Sequence, residues 1–154
     1  MALAITLHLL SVVIWVGGMF FAYMALRPVA ATLLEPPLRL NLWAQTFNRF
    51  FPWVWLAVIV LLVSGFWMIA VLGGMAKIGL YVHLMMGFGI LMMMLFLHVF
   101  FAPYRRMKQA IIIEDWPEAL RRLGQIRKLI GINLSLGLIV IVLASAGKYL
   151  AFMH

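Results

Sequence analysis

Residues 52–102 read PWVWLAVIVLLVSGFWMIAVL, then GGMAK, then IGLYVHLMMGFGILMMMLFLHVFFA. The flanking blocks, Pro52–Leu72 and Ile78–Ala102, hold no Asp, Glu, Lys or Arg, and Lys77 alone interrupts them. A helix needs roughly 20 apolar residues to cross about 30 Å of hydrocarbon, so each block predicts a transmembrane helix. Pro52 suits the first turn of its helix, where a missing N–H is no loss. Gly73-Gly74 ends that helix, and so short a link makes the two spans antiparallel neighbours.

Outward from this pair, about Ala2–Leu26 and Ile132–Phe152 are apolar stretches of the same length. The first begins without a basic leader and runs too long for a signal-peptide core, so it reads as a retained helix. The expected fold is all-α: one four-helix transmembrane bundle over residues 1–154, with spans at about 2–26, 52–72, 78–102 and 132–152. Composition agrees, with 67% hydrophobic and 10% charged residues, where a soluble domain carries about 25% charged. Cysteine is absent, which excludes disulfide frameworks, thiolate metal sites and cysteine nucleophiles.

The formal charge of +8 lies in the links between spans, which points to membrane orientation and not to nucleic acid. Arg27, Arg39 and Arg49 lie in the first link; Arg105, Arg106, Lys108, Arg121, Arg122, Arg127 and Lys128 lie in the third. Only Lys77 and Lys148 fall on the other side. The positive-inside rule makes the two larger links cytoplasmic and places both termini on the periplasmic face of an inner membrane. Within the links, Leu38, Leu40, Trp43, Phe47 and Phe50 predict a short helix in the interface. Asp115-Trp116-Pro117-Glu118 resembles a capping box opening a short basic helix. The basic third link also suits anionic headgroups.

Ionisable side chains within a span are costly and mark function by default. His8 and His83 fall near the outer ends of spans one and three, at matched depth. His98 lies fifteen residues beyond His83, roughly 22 Å deeper and within about 60° of the same helix face. Two facing imidazoles flanked by Gly17, Gly18, Gly87 and Gly89 suit a b-type haem, with Lys148 in reach of a propionate. That reading makes spans one and three parallel neighbours and the protein a cytochrome b-like electron carrier, with a redox protein or quinone as partner. His98 pairs at its own depth with Met24, a conceivable His/Met site.

A different chemistry is also present. Met85, Met86, Met92, Met93 and Met94 cluster on span three beside His83, and thioether with imidazole suits Cu(I). Each group has a plainer role too: histidine as an interhelical hydrogen-bonder and glycine as a close-packing residue, methionine as core filler, Lys148 as a snorkelling end residue. His154 is assigned no role. All four acidic residues, Glu35, Glu114, Asp115 and Glu118, lie in the links, so no span holds a carboxylate. Ser64, Ser135 and Ser145 lack triad partners and read as packing residues. Lipid bilayer is the expected environment, and self-association is open.

Leu7-His8-Leu9-Leu10 through Trp15-Val16-Gly17-Gly18-Met19-Phe20, with Arg27-Pro28, resembles the first helix of CopD-like copper-resistance membrane proteins. Asn48-Arg49-Phe50-Phe51 with Val63-Ser64-Gly65 resembles their next helix, and Tyr81-Val82-His83 through His98 the one after. The resemblance implies copper transport or resistance. It extends to the HemJ-type protoporphyrinogen oxidases, in which His8 and His98 would be the corresponding positions.

Overall fold

The computed structural model describes the backbone of residues 1–150 and the side chains through residue 146. Among these every regular element is helical: α1 (Ala2–Phe21), α2 (Arg27–Leu33), α3 (Pro36–Val71), α4 (Leu80–Val99), α5 (Arg105–Ile112) and α6 (Trp116–Leu150). A widened π turn at Ala22–Leu26 joins α1 to α2, and another at Phe100–Tyr104 joins α4 to α5. Each meets a proline, Pro28 just after the first and Pro103 inside the second, whose ring would clash with the carbonyl four residues back in a regular helix. Four rods result, all long and apolar enough to span a membrane: Ala2–Leu33, Pro36–Val71, Leu80–Ile112 and Trp116–Ala146.

The rods run further than the expected spans, always towards the basic links. Instead of a separate interfacial helix before Pro52, the chain forms one 36-residue helix with Pro52 inside it. The cause is periodicity: Leu40, Trp43, Phe47, Phe51, Val54 and Val58 are all buried, a spacing of three and four that carries one apolar stripe through the proline. The basic segment after Trp116 likewise continues into span four as a single helix. Asp115 Oδ1 accepts the Glu118 N–H at 3.1 Å and caps its start. At about 1.5 Å per residue, α3 is about 54 Å long against about 30 Å of hydrocarbon. The helices therefore project well beyond the membrane at the end carrying the large links, the basic end. The opposite, turn end carries Gly73 and Gly74, whose φ of 97° and 88° lets the chain reverse where a Cβ would be strained.

Contacts fix the helix directions. Gly18 faces Phe50 and Gly65 faces His8, so α1 and α3 are antiparallel; Gly137 meets both Val16 and Met92, which sets α6 against α1 and α4. Around the bundle α3 packs on α1, α1 on α6, and α6 on α4. Spans one and three are thus parallel but diagonal, in place of the neighbours expected, and Trp15 and Phe96 meet across the diagonal with ring centroids 6.2 Å apart.

Packing is uneven along the bundle axis. At the basic end Leu40, Met107, Leu123 and Ile126 are wholly buried. Next to them Phe47 and Phe51 stack at 5.1 Å, and Phe51 stands edge-on to Tyr104 at 4.9 Å and to Phe96 at 5.5 Å. This cluster ties α3 to α4 and to the turn after it. Towards the turn end a cavity opens within the bundle.

Candidate functional site

That cavity has a volume of about 300 Å³ and takes its walls from all four rods. From α1 come His8, Val12 and Trp15; α3 contributes Gly65 and Met68; α4 contributes Met85, Met86, Met92 and Met93; and α6 contributes Gly137 and Val140. Helical spacing explains the set. Residues 8, 12 and 15 share one stripe of α1, and residues 85, 86, 89, 92 and 93 share one broad face of α4. Gly137 makes the close approach of α6 possible, since a Cβ there would lie 2.9 Å from a Val16 methyl and 3.1 Å from the Met92 methyl.

Among the described residues His8 is the single imidazole that lines the cavity. Its Nδ1 lies 2.8 Å from Ser64 Oγ, and Ser64 Oγ also bonds the Val60 carbonyl one turn back. A hydroxyl has one proton, and a carbonyl can only accept. Ser64 therefore donates to Val60 and accepts from His8 Nδ1–H. The tautomer that follows carries its proton on Nδ1 and leaves the Nε2 lone pair bare, the form in which imidazole binds a metal.

The other expected site residues fall elsewhere. His83 Nδ1 bonds the Gly79 carbonyl of its own helix at 3.2 Å, and the ring does not line the cavity although Tyr81 and Val82 do. The structure does not bring His8 and His83 together across a shared gap, because their helices are diagonal. His98 is exposed on the outward face of α4 near the basic end. Met94 is 61% and Met24 57% exposed, so neither turns into the bundle. The Lys148 side chain lies outside the described residues, as does His154. Among the described residues no group of three or more His, Asp or Glu side chains converges on a point.

Sequence reasoning missed the role of Ser64, read only as a packing residue, and the place of Met68 in the wall. Both stand one helix away from the residues they face, and only the register of α3 against α1 and α4 reveals them. A depth count from the 73–77 turn would have placed Ser64 near the level of His8. Asn133 is a further buried polar group: its Nδ2 donates to the Met92 carbonyl at 3.3 Å, which pins α6 to α4 beneath the cavity, while its Oδ1 has no protein partner.

Compared with known protein families, residues 44–146 match the family model described as copper resistance protein D. The matched stretch takes in Ser64, Met68 and the α4 methionines and begins after His8. No curated protein and no solved structure matches the chain.

Proposed function

Because this chain belongs to the copper resistance protein D family, we propose that the cavity at the turn end receives Cu(I) as cargo, bound by His8 Nε2 and by methionine sulfurs. The observation that carries the reading is one imidazole with a free nitrogen among the side chains of Met68, Met85, Met86, Met92 and Met93, in a wall that is apolar apart from Tyr81. Soft thioether and imidazole donors select Cu(I) over hard cations. The Ser64 hydroxyl does what an outer-shell partner does in metal sites: it fixes the tautomer and the ring. Among the described residues no carboxylate stands in the cavity wall, which disfavours hard divalent cations there.

The cavity is a receiving site and not a through channel. Below it the Phe51, Phe96 and Tyr104 rings close the bundle, so passage towards the basic end requires those rings to move. By the positive-inside rule the basic end faces the cytoplasm of an inner membrane, and the turn end with both termini faces outward. Cargo then enters from outside. A haem held by His8 and His83 draws no support from this geometry, since only the first of them lines the cavity.

The test is Cu(I) titration of the purified protein under reducing conditions, against a chromophoric chelator. Stoichiometric Cu(I) binding that is weakened most in His8→Ala, and also weakened in Met85→Leu/Met86→Leu, is expected. A wild-type protein that binds no more Cu(I) than His8→Ala overturns the proposal. A haem Soret band in the purified protein would replace it with the redox reading.

A further inference from the structure

A second concavity lies on the outside of the bundle at the basic end. It is an open groove of about 680 Å³ between α3 and the α4–α5 rod, lined by Asn48, Pro52, Trp55, Tyr104, Arg105 and Lys108 among others. Its chemistry is graded along its length. Trp55 and Phe100 form the deep part; Arg105 and Lys108 stand at the mouth. From Phe100 to Lys108 is about 12 Å along a helix, so the groove runs from within the hydrocarbon to the headgroup level.

Two features of this groove mark it for an anionic partner. First, the two cations are held in place without a counter-ion. The Arg105 guanidinium lies 4.8 Å from the centre of the Phe101 ring and Lys108 Nζ 5.5 Å from that of Tyr104, and the ion pairs among the described residues are confined to Glu118 with Arg121 and Arg122. Second, Tyr104 is 5% exposed, and its buried hydroxyl has no hydrogen-bond partner. Tyr104 lines the groove, and buried polar groups are nearly always paired.

We propose that this groove is a binding site for one anionic phospholipid, with the phosphate between Arg105 and Lys108 and an acyl chain laid over Pro52 and Trp55. An apolar floor alone would accept any lipid or a neutral quinone. The uncompensated pair of cations at the mouth selects a net negative headgroup, and the aromatic faces beneath them hold the cations ready. A phospholipid also spans the groove's graded depth, which a soluble phosphate would not.

The probe is phosphatidylglycerol, titrated into delipidated full-length protein in neutral detergent beside phosphatidylcholine, with bound lipid counted by native mass spectrometry. Arg105→Gln/Lys108→Gln keeps the side-chain stems and removes both charges. At about fivefold per basic residue, this variant binds phosphatidylglycerol about 30-fold more weakly and phosphatidylcholine unchanged. Arg106→Gln/Lys128→Gln, which removes two exposed charges outside the groove, stays within about twofold of wild type. Asn48→Trp fills the exposed mouth with the charges intact, and it lowers phosphatidylglycerol binding at least fivefold. Equal losses in the two charge variants would show general surface attraction and overturn the site. So would equal wild-type affinity for the two lipids, no effect of Asn48→Trp, or a neutral quinone recovered in the groove.

Discussion

Replacing Ser64 with alanine tests the hydroxyl's assigned task with little disturbance of the fold. The substitution deletes one oxygen, 2.8 Å from His8 Nδ1. Interhelical hydrogen bonds of this kind inside membranes are worth about 0.6 kcal/mol on average, so the bundle persists. The Val60 carbonyl keeps its helical N–H, and the loss falls on His8. Without an acceptor for Nδ1–H, the imidazole is free to turn or to move its proton to Nε2, which removes the lone pair that the cavity uses. Loss of an outer-shell partner weakens metal binding about 10- to 100-fold, or about 1.4–2.7 kcal/mol. The assay is Cu(I) competition on Ser64→Ala, His8→Ala and the double variant. Because Ser64 acts through the imidazole, its removal has no further effect once His8 is gone, and the coupling energy equals the whole Ser64 effect. Ser64→Thr, which keeps a hydroxyl on Cβ, restores most of the affinity. If Ser64→Ala weakens binding as much without His8 as with it, the hydroxyl acts through the fold and the tautomer argument fails.

Other expectations follow from packing and orientation. Gly137→Ala sets a methyl 2.9 Å from Val16 and 3.1 Å from Met92; it destabilises the bundle by about 1–3 kcal/mol, read by denaturant-induced unfolding in detergent, and an unchanged midpoint would deny the close approach. Leu123→Ala, in the basic-end core at 1% exposure, costs about 2–5 kcal/mol in the same assay, whereas Leu61→Ala on the cavity wall costs under about 2 kcal/mol because its side chain already borders empty space. Equal costs would show that the two ends are packed alike. The chain has no cysteine, so single cysteines report sidedness directly. Ala76→Cys in intact cells reacts with an impermeant maleimide and Ile113→Cys reacts only after lysis; the reverse pattern overturns the orientation.

What the sequence disclosed and what it hid divide along a physical line. The four spans were legible because hydrocarbon imposes a length and a composition on any helix that crosses it, as Pro52–Leu72 shows. The true helix ends were not. The apolar set Leu38, Leu40, Trp43, Phe47 and Phe50 was visible, but its amphipathic pattern is shared by a helix lying on a membrane and by one standing in a bundle. Tertiary burial decided for the bundle. The depth of His8 could be counted, yet its partner could not, since depth says nothing about which helices are neighbours. The expectation of His83 opposite His8 assumed adjacency, and the diagonal arrangement set Ser64 beside His8 instead.

That arrangement also accounts for the uneven packing. Apolar side chains gain nothing by leaving lipid for each other, so within the membrane no hydrophobic force draws helices into a closed bundle. At the basic end the helices extend into water, where burial of Leu40, Met107, Leu123 and Ile126 does stabilise their association, at about 25 cal/mol per Å² of apolar surface. A water-driven core therefore clamps one end, and the aromatic layer of Phe47, Phe51 and Tyr104 carries the clamp into the membrane. Beyond it, a gap within the bundle persists at small cost, because lipid exerts little force to close it. The methionine-lined cavity exists where that clamp has run out, and its flexible thioether walls can move without unfolding the end that holds the bundle together.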